Sequence, residues 1–245
     1  MAENGTHSKN NHGVKSFILN IPLLSNNEIF LQGKLTIPSS AIKALIIFAH
    51  GSGSGKESPR NQYVAKALNG FGFATLLVDL LTPEEQESDI KSQKIASKIP
   101  GLVLNKFNIK LLSNRLASIT EWIINNISET SDLPIGYFGA STGAAAAIEA
   151  SILFDKVFAI VSRGGRPDLA GPESLTNVIA STLLIVGSKD FKVVIDLNKK
   201  AFKQLRNAKS KELVMIPNAG HLFEEENAIV QVADVTTKWL ITKLK

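Results

Sequence analysis

Gly139-Ala140-Ser141-Thr142-Gly143 sets a serine between two glycines, with the short apolar run Leu133 to Phe138 before it and the helix-forming run Ala144 to Ala150 after it. A strand, a Gly-x-Ser-x-Gly turn and a helix in that order form the context of a nucleophile elbow. The sharp turn strains the serine backbone, and the flanking glycines remove side chains that would collide with strand and helix. Ser141 is then expected at the carboxyl end of a strand, where the amides of a starting helix can face an anion. Taken alone, the five residues also read as a glycine-rich helix start with a capping serine. The partners downstream decide between the two.

A serine hydroxyl is a weak nucleophile at neutral pH and needs a base to take its proton. Of the four histidines, His7 and His12 lie in a polar N-terminal stretch, and His50 follows a strand and precedes a glycine loop. His221, in Pro217-Asn218-Ala219-Gly220-His221-Leu222-Phe223, lies just past the last apolar strand and is the expected general base. Thr182 to Asp190 ends a strand and delivers Asp190 to the same edge, where it would fix the imidazole tautomer and stabilise the imidazolium. Asp190 also reads as a plain turn aspartate between Lys189 and Lys192. Asp168, Asp196 and Glu224 are rival acids: one after an earlier strand, one inside a helix, one too near His221 in sequence to reach behind it.

Charge developing on a tetrahedral oxygen needs preset donors. The amide of Thr142 is one. The second is expected in His50-Gly51-Ser52-Gly53, at the Ser52 amide, with Gly53 as the alternative. The loop continues to Gly55-Lys56, but it lacks the first glycine and the final Ser or Thr of a Walker loop, and its glycines miss the dinucleotide spacing. Arg163 and Arg166 lie three residues apart in a glycine-containing loop after a strand, in a chain richer in lysine than arginine. Guanidinium forks suit carboxylates and phosphates, so one of the two is expected to contact an acidic group on a substrate. The alternative is a loop brace on Asp168 or on backbone carbonyls. Arg60 is a further candidate of the same kind.

These residues need a scaffold. Val14 to Leu24 and Glu28 to Ile37 read as a hairpin around Ser25-Asn26-Asn27. Ala44 to Ala49, Phe73 to Leu80, Leu133 to Phe138, Val157 to Val161, Thr182 to Val186 and Glu212 to Ile216 read as buried strands. Helices are expected at Asn61 to Asn69, at Phe107 to Ile127 and after each later strand, while Thr82 to Gly101 reads as polar and irregular. Strands alternating with helices imply an α/β domain with a mostly parallel sheet covered on both faces and an N-terminal antiparallel hairpin, its site at the carboxyl edge. Residues 1–13 read as a disordered polar tail and 14–245 as a single domain.

The chain has 245 residues, 44% hydrophobic, with no cysteine, which excludes disulfides, thiolate metal sites and a cysteine nucleophile. No apolar run is long enough to span a bilayer and no signal-peptide core precedes residue 13, so a cytoplasmic location is the expectation. The net charge of +5 comes from scattered lysines that read as solvated helix faces, not as a nucleic-acid stripe. No cofactor, metal, nucleic-acid or membrane partner is expected, only a small-molecule acyl substrate.

From about Ile29 to the C-terminus the chain resembles the α/β-hydrolases of the dienelactone hydrolase-like group. The resemblance rests on Phe48-Ala49-His50-Gly51-Ser52-Gly53, Ser58-Pro59-Arg60-Asn61, Leu76 to Thr82, the serine turn, Ser162 to Leu169 and Gly220 to Glu225. The order Ser141, Asp190, His221 is that of the α/β-hydrolase nucleophile, acid and histidine. The resemblance implies a cofactor-free serine hydrolase with an acyl-enzyme intermediate. Dienelactone hydrolases proper carry a cysteine where this chain has Ser141, so ester, lactone or thioester cleavage is the implied class. A non-catalytic binding protein on the same fold, and an acyltransferase using the same triad, are the competing readings. Thr82 to Lys106 and Leu169 to Ile179 are expected to shape the pocket.

Overall fold

The computed structural model describes residues 9–11, 13–23 and 26–244. Nine strands form one sheet: β1 (Lys9–Asn11), β2 (Val14–Leu23), β3 (Asn26–Pro38), β4 (Leu45–Ala49), β5 (Ala74–Val78), β6 (Ile135–Ala140), β7 (Val157–Arg163), β8 (Ser181–Gly187) and β9 (Lys211–Ile216). Their spatial order is β1-β2-β3-β5-β4-β6-β7-β8-β9. β1, β2 and β3 pair antiparallel, β3 meets β5 antiparallel, and every pairing from β5 to β9 is parallel. This is the mostly parallel sheet with an N-terminal antiparallel hairpin expected from the alternation of apolar runs and helices.

Among the described residues, seven helices cover the sheet: α1 (Pro59–Gly70), α2 (Pro83–Gln93), α3 (Ile109–Asn126), α4 (Thr142–Ser151), α5 (Gly171–Asn177), α6 (Lys192–Gln204) and α7 (Ala228–Lys243). The period of two in a strand splits each apolar run between two cores. Leu45, Ile47 and Ala49 of β4 join Leu116, Ile119 and Ile123 of α3 and the alanines of α4 on one face. Ile46 and Phe48 join Val64 and Leu68 of α1 and Val232, Trp239 and Leu240 of α7 on the other. A strand buried on both faces cannot alternate with polar residues, which is why β4, β5, β6 and β8 read as unbroken apolar runs. Each fully buried Leu, Ile or Phe contributes about 1.5–3 kcal/mol, so a register slip that exposed either face would be costly.

Two expectations change. The stretch expected to be irregular after Thr82 contains α2. It starts on a reciprocal cap, in which Thr82 Oγ1 accepts from the Glu85 amide (3.3 Å) and Glu85 Oε2 accepts from the Thr82 amide (2.9 Å). Only Asp89 of this helix is buried, so it lacks the apolar stripe by which helices are read. In the presumed tail, Lys9–Asn11 pairs with Val14 to Ser16 as an added strand, while residues 1–8 and 12 fall outside the described residues.

Candidate active site

Because β4, β6, β7, β8 and β9 run parallel and adjacent, the loops after them meet along one edge. Ser141 follows β6 at the middle of that edge with φ 50° and ψ −120°, in the positive-φ region that a side chain occupies only under constraint. The constraint is packing. A Cβ at Gly139 would lie 2.5 Å from the Ala144 Cα, and one at Gly143 would lie 2.2 Å from the Ala49 carbonyl oxygen. Both glycines let backbones approach where no side chain fits, so the turn can lift Ser141 clear of strand and helix. The Ser141 amide donates to the Arg163 carbonyl (3.4 Å) and its carbonyl accepts from the Arg166 amide (3.0 Å), fixing the turn to the end of β7.

His221 and Asp190 come from the loops after β9 and β8. His221 Nδ1 lies 3.1 Å from both Asp190 carboxylate oxygens. The Asp190 side chain is fully buried and also accepts from the Phe191 amide (2.7 Å), so it points one way only. The Lys189 amide donates to the Ala219 carbonyl (2.8 Å) and the Ser188 amide to the Ile216 carbonyl (2.9 Å), locking the two loops together. Glu225 closes the histidine loop by accepting from the Gly220 amide (2.9 Å). With Nδ1 engaged, Nε2 is the ring nitrogen left to exchange a proton. Ser141, His221, Gly51, Ser52, Arg60 and Arg163 line one cleft of about 350 Å³.

The rival acids are engaged elsewhere. Asp168 pairs with Arg166, Asp196 with Lys192 and Glu224 with Arg60. His50 is no candidate for proton transfer with substrate. It is buried, its Nε2 accepts from the Leu80 amide (2.9 Å) and its Nδ1 donates to the Gly51 carbonyl (2.9 Å). Burial pulls its pKa below the usual 6.5, against weaker opposing effects from that carbonyl and Asp79. A neutral imidazole therefore clamps the start of the glycine loop. Ser54 closes a turn on the Gly51 carbonyl (3.1 Å), and the Ser52 and Gly53 amides have no backbone acceptor among the described residues.

The three arginines separate. Arg163 is buried, lines the cleft, lies 5.7 Å from the Phe223 ring centroid and donates to Asn61 Oδ1 at 3.3 Å. Burial, with Arg60 adding to it, pulls its pKa down to about 10, which still leaves it charged at neutral pH. No carboxylate pairs with it among the described residues, and its buried Nε has no hydrogen-bond partner there. Arg60 also lines the cleft, and its Nη1 meets Glu224 at 2.6 Å. Arg166 corrects the expectation that it is a substrate contact. Its Nε and Nη2 donate to Asp168 Oδ1 and Oδ2, both at 2.8 Å, and it lies outside the cleft lining. A bidentate carboxylate already fills the guanidinium fork, which is the geometry of the loop-brace alternative.

Sequence reading missed Asn61, Phe191 and Phe223. Asn61 had a signal in its place beside Arg60 in Ser58-Pro59-Arg60-Asn61. The Phe191 ring, 6.1 Å from the imidazole, and Phe223, at φ 56°, had none, since an apolar residue in a loop carries no mark of its neighbour.

No helix among the described residues is long and apolar enough to cross a membrane. A model of the dienelactone hydrolase family matches residues 31–241. A crystal structure of a dienelactone hydrolase from Anabaena variabilis is 44% identical, with a TM-score of 0.83, over 96% of this chain and 100% of that one. The esterase domain of a Rhodothermus marinus protein is 16% identical with a TM-score of 0.69, covering 95% and 99% of the two chains, a likeness of fold. Proteins of two Mycobacterium tuberculosis strains named "Putative phosphoribosyl transferase" are 47% identical over 217 residues, 87% of this chain and 44% of theirs. The chain thus spans less than half the length of these curated relatives.

Proposed function

This chain belongs to the dienelactone hydrolase family, and from that premise we propose that it is a serine hydrolase of carboxylic esters, lactones or thioesters. The observation that carries the reading is the strained Ser141 sharing one cleft with an imidazole whose far nitrogen is held by a buried carboxylate. Ser141 Oγ attacks the acyl carbon while His221 Nε2 takes its proton, and the oxygen becomes an oxyanion facing the Thr142 and Ser52 amides. His221 then gives the proton to the departing oxygen, and the acyl group stays on Ser141. Water repeats the sequence and frees the acid. Asp190 keeps the proton of neutral His221 on Nδ1 and stabilises the imidazolium.

Arg163 and Arg60 support a substrate with an acidic group. Arg163 brings a buried positive charge to the cleft with no carboxylate paired to it among the described residues, an arrangement an anionic ligand would relieve. The transferase name of the mycobacterial relatives extends to this chain only as a second reading. Those proteins are more than twice the length of the shared region, and more than half of each lies outside what this chain matches.

The test is covalent labelling with a fluorophosphonate alongside hydrolysis of short para-nitrophenyl esters. Ser141→Ala should lose both label and hydrolysis while keeping its circular dichroism spectrum. Label retained at another residue would overturn the assignment.

A further inference from the structure

A second cavity of about 380 Å³ lies against the first, and residues Gly51 to Ser54 form a wall of both. The two differ in what else lines them. Ser141, His221, Arg60 and Arg163 belong to the first; Thr142, Leu81, Gln86, Ile90 and Leu112 belong to the second. The second therefore begins at the residue after the nucleophile and runs beneath α2.

Its two charged side chains each have hydrogen-bond partners. The Asp89 carboxylate accepts from the amides of Asn105 and Lys106 (2.8 Å each) and from Asn105 Nδ2 (3.1 Å). The Lys106 ammonium donates to Gln93 Oε1 at 2.7 Å. Leu81 and Leu112 are buried apolar walls, and Thr142 Oγ1 is a buried hydroxyl without a hydrogen-bond partner among the described residues. The cation here, the Lys106 ammonium, is solvent-exposed and held by Gln93, whereas the first cavity offers the buried guanidinium of Arg163.

Resting on the serine-hydrolase reading, we propose that the cavity under α2 is the acyl pocket for an uncharged, largely aliphatic acyl group, and that the arginine cleft takes the alcohol half with its anionic group. The proton path assigns the halves. As the acyl carbon–oxygen bond breaks, its electron pair goes to the leaving oxygen, which must receive the proton from His221. His221 lines only the arginine cleft, so the departing alcohol lies there. The acyl group, still bonded to Ser141 Oγ, extends past Ser52 to the other side of the shared wall. Water entering from the His221 side then releases it.

Acetyl to octanoyl esters of para-hydroxybenzoate (anionic alcohol) and of para-nitrophenol (neutral alcohol) test the assignment. kcat/KM should rise about three- to fourfold per methylene until the pocket fills. Ile90→Asp, at a 65% exposed position, should flatten that rise, and Gln86→Trp should cut off the longest chains. Ile179→Asp, 61% exposed and remote from both cavities, should leave it unchanged. Arg163→Gln should lower the preference for the para-hydroxybenzoate esters without altering the chain-length slope. An unchanged slope in both Ile90→Asp and Gln86→Trp overturns the proposal, as does faster cleavage of para-nitrophenyl hemisuccinate than of the butyrate. Those results with Ser141 still labelled by fluorophosphonate would reject the pocket assignment alone; loss of labelling in the parent protein would reject the hydrolase reading itself.

Discussion

The two carboxylate oxygens of Asp190 are equidistant from His221 Nδ1, at 3.1 Å, and the aspartate side chain has no solvent exposure. An amide at this position keeps the shape but offers an N–H where an acceptor is needed, so it favours the wrong tautomer. Asp190→Asn should lower kcat about 10³–10⁴-fold with little change in KM. Steady-state kinetics beside a thermal melt would check this. A kcat within tenfold of the parent would mean that the aspartate does not orient the base.

Arg163 and Arg166 should behave in opposite ways. A charged hydrogen bond to substrate contributes about 1.5–3 kcal/mol, so Arg163→Gln should raise KM for acidic esters roughly 10- to 100-fold more than for neutral ones. Arg166→Ala removes a partly exposed pair with Asp168 and should cost no more than about 1 kcal/mol, with the acid preference retained. KM for matched acidic and neutral esters distinguishes the two. Equal effects on both esters in Arg163→Gln would show that it acts by packing on Phe223.

His50 gives a stability signature in pH. Its folded-state pKa lies below the unfolded value of about 6.5, so the unfolded chain binds more protons as the medium turns acid. Its contribution is complete above about pH 6.5 and is lost as pH falls towards the folded value, at up to about 1.4 kcal/mol per pH unit. His50→Gln should be less stable at pH 8 and should show a shallower loss between pH 7 and 5. Urea midpoints at several pH values measure it; parallel curves would refute the clamp.

What could be read from residue order was whatever leaves a periodic or chemical mark. The parallel strands announce themselves because burial on both faces demands unbroken apolar runs. The elbow does so because Gly139 and Gly143 cannot carry a Cβ beside Ala144 and Ala49. The meeting of Asp190 with His221 was legible because a parallel sheet brings its strand ends to one edge. The arginine partners were not, since Arg163 and Arg166 lie at or just past the end of the same strand and differ in whether a carboxylate, Asp168, lies within reach. Nor was α2, which is held by polar ties to Asn105, Lys106 and Arg115 in place of a core.

That helix yields the last prediction. Without an apolar face, α2 rests on its Thr82 cap, on Asp89 and on Glu85, whose carboxylate receives both terminal nitrogens of buried Arg115. Arg115 also donates to the Leu80 carbonyl (2.9 Å), so one guanidinium ties α3 to the start of α2. Burial alone would raise the Glu85 pKa, but hydrogen bonds from Arg115 and Thr82 outweigh it and the net shift is downward. A lowered carboxylate pKa means stability held above the unfolded value and lost as pH falls through the folded one. Arg115→Met removes the charged partner and leaves Glu85 half-buried with the Thr82 amide as its remaining tie, at a cost of about 2 kcal/mol given its partial exposure. Hydrogen exchange should quicken across Pro83 to Gln93 before it does in β4 or β6, because the cap is held by polar ties and those strands by two cores. Uniform quickening throughout the sheet would show instead that Arg115 supports the whole fold.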